Sequence, residues 1–147
     1  MSFPSPLPSQ VIRYSYLWSA EQRRGQEEGV KDRPCAVVLM MQNEEGDEVV
    51  TVLPITHTPP FQSDTGLAIE IPADTKRRLG LDDAPSWIML TEANRFTWPG
   101  PDLRMERNGD PSSVVYGLLP ERLFERVRTT FLAALKARKA RLVERTD

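Results

Sequence analysis

Apolar and polar positions alternate along VIRYSYLW (11–18), a stretch rich in β-branched and aromatic residues, and that two-residue period predicts a strand. PCAVVLMM (34–41) is apolar without a break, the pattern of a strand covered on both faces, and proline is tolerated at a strand's first residue. After the turn region NEEGDE, EVVTVLPIT (48–56) predicts its hairpin partner. Shorter apolar runs at LAIEI (67–71), SWIMLTE (86–92) and SSVVYGLL (112–119) predict further strands. PADTKRRLGL (72–81) reads as a short helix entered at Pro72 and stopped at Gly80. From Pro120 the period changes. Leu123, Val127, Phe131 and Leu135 recur at helical spacing and Phe124 and Leu132 widen the stripe, predicting an amphipathic helix over about 120–142.

Four stretches lack either period. MSFPSPLPSQ (1–10), with three prolines and three serines, predicts a flexible arm. SAEQRRGQEEGVKDR (19–33), HTPPFQSDTG (57–66) and ANRFTWPGPDLR (93–104) predict long loops, which in a small domain tend to carry function. No internal repeat is present. A single domain over residues 11–147 follows, mainly β with helices: a small curled barrel of five to seven strands closed by the C-terminal amphipathic helix.

Composition sets the class. Of 147 residues 39% are hydrophobic and 27% charged, enough for one buried core in a soluble protein. The single cysteine excludes an intramolecular disulfide, and no apolar run approaches the roughly 18 residues that span a bilayer; a cytoplasmic protein is expected. The net charge of −2 is unevenly spread. Residues 119–147 carry eight Lys/Arg against four acids, while residues 1–118 carry eleven against seventeen. Cations near a helix C-terminus suit its dipole and solvate its outer face, which is one reading of the tail; local cations that hold RNA are the other.

Candidate chemistry is sparse. His57 is the only histidine and Cys35 the only cysteine, without metal-ligand spacing, so neither a metal nor a cofactor is expected. Cys35, on an apolar run, reads as packed core rather than nucleophile. Folding the hairpin about NEEGDE places Arg33 and Thr56 at about the same distance from the turn, hence at its open end, with His57 beside them. A guanidinium, a hydroxyl and an imidazole can grip a phosphate and stabilise developing charge; alternatively Arg33 pairs with Asp32 or Glu28 at the surface and Thr56 merely ends a strand. Phe96 and Trp98 in FTWPGPD (96–102) suit stacking on unpaired bases, or equally the capping of one end of the barrel. Arg95 and Lys31 are further candidates for holding an RNA strand.

The order of these pieces resembles the toxins of the MazF/PemK family, the ribonuclease halves of bacterial toxin–antitoxin pairs. The resemblance rests on RRGQEEGVKDRPCAVVL, where a polar loop ends in Arg-Pro opening a buried strand; on LPITHT at the end of the next strand; on AIEI; on APSWIMLTEANRF; and on a closing amphipathic helix. It covers roughly residues 11–135 and favours the PemK-like branch. The loop before Arg-Pro has one extra residue, Ala93 stands where glutamine is usual, and TWPGPDLRMERNGD and the tail have no counterpart in the shorter toxins.

The resemblance implies an SH3-related barrel, a homodimer, a cognate antitoxin as partner, and metal-independent cleavage of single-stranded RNA to 2′,3′-cyclic phosphate and 5′-hydroxyl ends. It assigns Arg33 to the transition state or the leaving oxygen, Thr56 to the scissile phosphate, Glu28 (or Glu27) to the loop glutamate, and Glu92 to the family's acidic strand position. His57 is added from its own chemistry as a proton shuttle. The alternative is a non-catalytic SH3-like binding module, either an inhibitor of a protein target such as gyrase or a degenerate toxin homologue.

Overall fold

The unbroken apolar stretch forms the middle of the sheet. In the computed structural model, which describes residues 2–25 and 32–145, β1 (Gln10–Tyr14), β2 (Arg33–Gln42) and β3 (Glu48–Thr56) pair antiparallel side by side. Asn43 turns the β2–β3 hairpin, its side-chain oxygen accepting the Glu45 and Asp47 amides at 3.1 and 2.9 Å. One residue is extra in β2, between Val37 and Leu39. The bulge explains the core pattern: Cys35, Val37 and Met40 face one side while Ala36, Val38 and Leu39 face the other.

β3 changes partner along its second edge. Residues 49–52 pair with β6 (Glu92–Thr97), and Ile55 and Thr56 pair with β5 (Trp87–Met89), which in turn carries β4 (Ala68–Glu70). β7 (Val115–Leu118) lies outside β1, and β8 (Arg141–Glu144) runs parallel to β6. Three helices attach: α1 (Ser19–Arg23), α2 (Ala73–Leu79) and α3 (Glu121–Lys136). Gly80 ends α2 at φ +73°, a left-handed position that glycine occupies without a Cβ penalty.

Apolar side chains cover both faces of the sheet. On one, Val11, Val38, Leu53 and Ile88 pack beneath Val127 and Phe131 of α3; on the other, Ile12, Tyr14, Val37, Val52 and Phe96 form a second cluster. Each fully buried large aliphatic or aromatic side chain contributes about 1.5–3 kcal/mol.

The fold class expected from the sequence, mainly β with helices and a C-terminal helix, is the one observed, with eight strands among the described residues rather than five to seven. Other expectations are corrected. The C-terminal helix does not reach residue 142: it stops at Lys136, and residues 141–144 return as β8. As strand, the segment buries Val143, which is 1% exposed, while Leu142 stays on the outer face. ANRFT is β6 instead of loop, because Asn94 finds its hydrogen bonds inside the protein. Residues 19–33 contain α1. The N-terminal segment is tied down: the Ser9 amide donates to Val37 O at 2.9 Å, Phe3 packs on the second cluster, and Pro4 O accepts the Trp98 indole at 3.1 Å.

Candidate active site

Where β1, β2 and β3 end together, their last side chains open into a cleft of about 640 Å³. Arg33 and Pro34 from β2, Ile55 and Thr56 from β3, and Arg13 from β1 line it, with Trp18, His57, Asp82 and Tyr116 around the rim. The hairpin register thus brings together the pair expected from the turn-centred spacing, Arg33 and Thr56.

Arg33 is held from one side only. Its guanidinium carbon lies 4.9 Å from the Trp18 ring centroid, while its Nε is shut off from solvent and has no hydrogen-bond partner among the described residues. Of the two surface partners expected as the alternative, Asp32 meets Arg104 at 3.4 Å instead, and Glu28 lies outside the described residues. Thr56 Oγ1 accepts the Thr58 amide at 3.1 Å, which leaves its own O–H free to donate into the cleft.

His57 belongs to the cleft wall. Its Nδ1 lies 2.8 Å from Pro85 O and its Nε2 3.0 Å from Asp82 Oδ2, so both ring nitrogens face acceptors. The loop that supplies them is itself anchored, because the buried Lys76 ammonium donates to Ala84 O at 2.7 Å and Asp83 O at 3.3 Å. Each ring nitrogen thus has an acceptor within hydrogen-bond distance, and the ring lines the cleft beside Thr56.

Glu92 serves the same site at one remove. Its Oε1 accepts from the Tyr16 hydroxyl at 3.1 Å and the Ser19 amide at 2.8 Å, and Oε2 from Ser19 Oγ at 3.2 Å. Burial raises its pKa, and the bonds from Ser19 and Tyr16 oppose that rise. The clamp fixes the segment carrying Trp18, whose amide also donates to Glu21 at 3.0 Å. Glu92 therefore positions the Trp18 shelf beneath Arg33. It also lines a second cavity of about 260 Å³ that shares Trp18, Thr56 and Thr58 with the first and has Phe61, 82% exposed, in its wall.

The remaining candidates lie elsewhere. Phe96 is 3% exposed and stacks on Tyr14 at 4.6 Å, so it offers no face to a base; it belongs to the core. Trp98 packs against Phe96 with its indole committed to Pro4 O, and Arg95 pairs with Glu144. None of the three lines either cavity. Glu28 and Lys31 lie outside the described residues, as does Glu27. Cys35 is fully buried, and burial pushes its thiol up, which suits packing and not nucleophilic attack.

Arg13, Trp18, Asp82 and Tyr116 line the cleft without having been singled out from the sequence. Arg13 carried a signal, being the one charged position in VIRYSYLW (11–18). The aromatics carried none, since Trp18 and Tyr116 sit in stretches that read only as strands.

No helix among the described residues is long and apolar enough to cross a membrane. No curated protein matches the chain. A family model for the PemK-like, MazF-like toxin of type II toxin–antitoxin systems matches residues 16–96, more than half of the chain, from the end of the first strand through the whole of β6 but its last residue. That span carries Arg33 and Thr56 on adjacent strand ends and the Trp18 shelf beside them; the chain belongs to the PemK-like, MazF-like toxins of type II toxin–antitoxin systems.

Proposed function

We propose that this toxin is an endoribonuclease that cleaves single-stranded RNA, leaving 2′,3′-cyclic phosphate and 5′-hydroxyl ends. The observation that carries the reading is the Arg33 guanidinium, whose desolvated Nε has no hydrogen-bond partner among the described residues, facing the same cleft as the Thr56 hydroxyl. A donor left unpaired out of water costs about 1–3 kcal/mol, and an anion entering the cleft relieves that cost. The scissile phosphodiester is such an anion.

In this reaction the ribose 2′-oxygen attacks the adjacent phosphorus, a P–O bond forms to it, and the bond to the 5′-oxygen breaks. Negative charge grows on the non-bridging oxygens as phosphorus becomes five-coordinate. Arg33 and Thr56 donate to those oxygens, and donors fixed before the reaction need no reorganisation during it. The 2′-hydroxyl proton goes to a base and the departing 5′-oxygen gains a proton. We assign the base to Glu28, the loop glutamate that the family resemblance points to; Glu92 accepts from Ser19 and Tyr16 instead. Trp18 limits the motion of Arg33, and Glu92 limits that of Trp18. The antitoxin is this toxin's protein partner; single-stranded RNA as substrate and a second copy as dimer partner complete the proposal.

The test is to incubate the purified protein, with EDTA present, with a long single-stranded RNA and to map the fragment ends beside the Arg33→Ala variant. Fragments with cyclic phosphate ends, absent from the variant, support the ribonuclease. An intact RNA with well-folded, antitoxin-free protein moves the assignment to a non-catalytic binding module.

A further inference from the structure

Arg13 is a second arginine in the cleft, and the proposed reaction makes no use of it. Its Nε is buried and, like that of Arg33, has no hydrogen-bond partner among the described residues. Its acid neighbour Glu106 is 61% exposed and 3.9 Å away, a weak pair in water. Beneath the guanidinium lies Tyr116, whose ring centroid is 4.5 Å from its central carbon. Partial burial pushes the Tyr116 phenol up, so the hydroxyl stays a neutral donor.

The acids that line the cleft are already matched: Asp32 with Arg104 at 3.4 Å and Asp82 with His57 at 3.0 Å. Among the described lining residues this leaves two arginines, each resting on an aromatic shelf: Arg33 on Trp18 and Arg13 on Tyr116. The β1–β2 register pairs Tyr14 with Arg33 and Arg13 with Pro34, so the two arginines leave opposite faces of the same sheet end. A polyanion crossing that end meets one guanidinium and then the other.

We propose that Arg13 and Tyr116 form a second phosphodiester subsite, which holds the linkage next to the one engaged by Arg33 and Thr56. The inference rests on the ribonuclease reading for the identity of the strand. Gripping a single phosphate leaves RNA free to pivot about it, whereas a second grip fixes the line of the strand through the cleft. Because Arg13 holds a phosphate that does not react, its contribution is present equally in the bound substrate and the transition state, and it sets KM and not kcat.

The test uses the full chain and an RNA decamer spanning a cleavage site mapped on long RNA. Arg13→Gln is expected to raise KM about tenfold with kcat within about twofold. A neutral methylphosphonate at one of the two linkages flanking the scissile phosphate should bring the wild type to the variant's level, and should leave Arg13→Gln unchanged. Arg13→Lys, which keeps the charge but lacks Nε, should fall between them. An unchanged KM overturns the subsite, and so does a loss of kcat alone, which would put Arg13 at the reacting phosphate. Additive effects of methylphosphonate and Arg13→Gln at both flanking linkages also overturn it.

Binding of an uncleavable 2′-O-methyl decamer of random sequence reads the subsite without catalysis. The slope of log K against log salt should be shallower by about 0.7 in Arg13→Gln, the value for one phosphate contact on a single strand. That difference in a protein that leaves long RNA uncut would retain the subsite and overturn the ribonuclease. Equal slopes overturn the subsite whatever the cleavage result.

Discussion

Arg33 is the residue whose environment makes least sense without a ligand. Its aromatic shelf fixes it, yet nothing in the described protein satisfies Nε. Arg33→Ala should lower kcat by about 10²–10³, the usual loss for one transition-state donor, with a melting temperature close to that of the wild type because no hydrogen bond among the described residues is broken. Glu28→Gln should lower kcat by about 10²–10⁴ with little effect on KM, as expected of a general base, and single-turnover cleavage measures both variants. Glu92 makes a different prediction. Burial raises its folded-state pKa above the unfolded value, so over the interval between the two the native state binds more protons than the unfolded state. Stability then falls as pH rises through that window and recovers on acidification. Glu92→Gln keeps an acceptor for the Ser19 amide and has no proton to lose, so its thermal midpoint should vary less with pH just above the ordinary glutamate range. A wild type whose midpoint rises with pH there would count against the assignment.

Among the elements, β6 and β8 were the least legible, and a buried polar cluster explains why. Asn94 in β6 exchanges hydrogen bonds with the backbone of Leu17 at 2.9 and 2.8 Å, and Arg145, just after β8, donates to Ser15 O at 2.8 Å and Asn94 Oδ1 at 3.1 Å. Arg145 also meets Asp102 at 2.9 Å, with side chains only 2% and 9% exposed. Removing one partner of such a pair strands the other charge, so Arg145→Leu should destabilise the protein by about 3–5 kcal/mol, measured by urea unfolding. The Asp102→Asn/Arg145→Leu double variant should cost less than the sum of the singles. Nothing local announces this arrangement: Asn94 sits in a segment that read as loop, Arg145 lies beyond the predicted helix, and partners more than 40 residues away give no periodic trace. β2, β3 and α3 were legible for the opposite reason. Their burial is written into neighbouring positions, and the hairpin register alone brought Arg33 to Thr56. Phe96 shows the limit of that logic, since an aromatic beside prolines serves a core as well as it serves a base.

The molecule as a whole extends beyond the span that marks its family. The matched residues 16–96 hold Arg33, Thr56 and the Trp18 shelf, but the core that supports them is completed from outside: Val11, Ile12 and Tyr14 from β1, Val114, Leu119, Val127 and Phe131 from the C-terminal third, and Val143 from β8. All eight are 7% exposed or less. Arg13 and Tyr116, the proposed second subsite, also fall outside the match. A fragment of residues 16–96 would leave β2 without its β1 neighbour and one sheet face without α3. Each lost large apolar contact forfeits roughly 1.5–3 kcal/mol, so losing eight forfeits about 12–24 kcal/mol, comparable to or larger than the roughly 5–15 kcal/mol that separates a folded domain of this size from its unfolded chain. The fragment is expected to show no cooperative thermal transition by circular dichroism. In the full chain, Phe131→Ala should retain a transition weakened by about 3–5 kcal/mol. A fragment that melted cooperatively would show that the family span is a folding unit, with the C-terminal third an addition to it. Failure to fold, with Phe131→Ala merely weakened, would make the cleft a product of the entire chain.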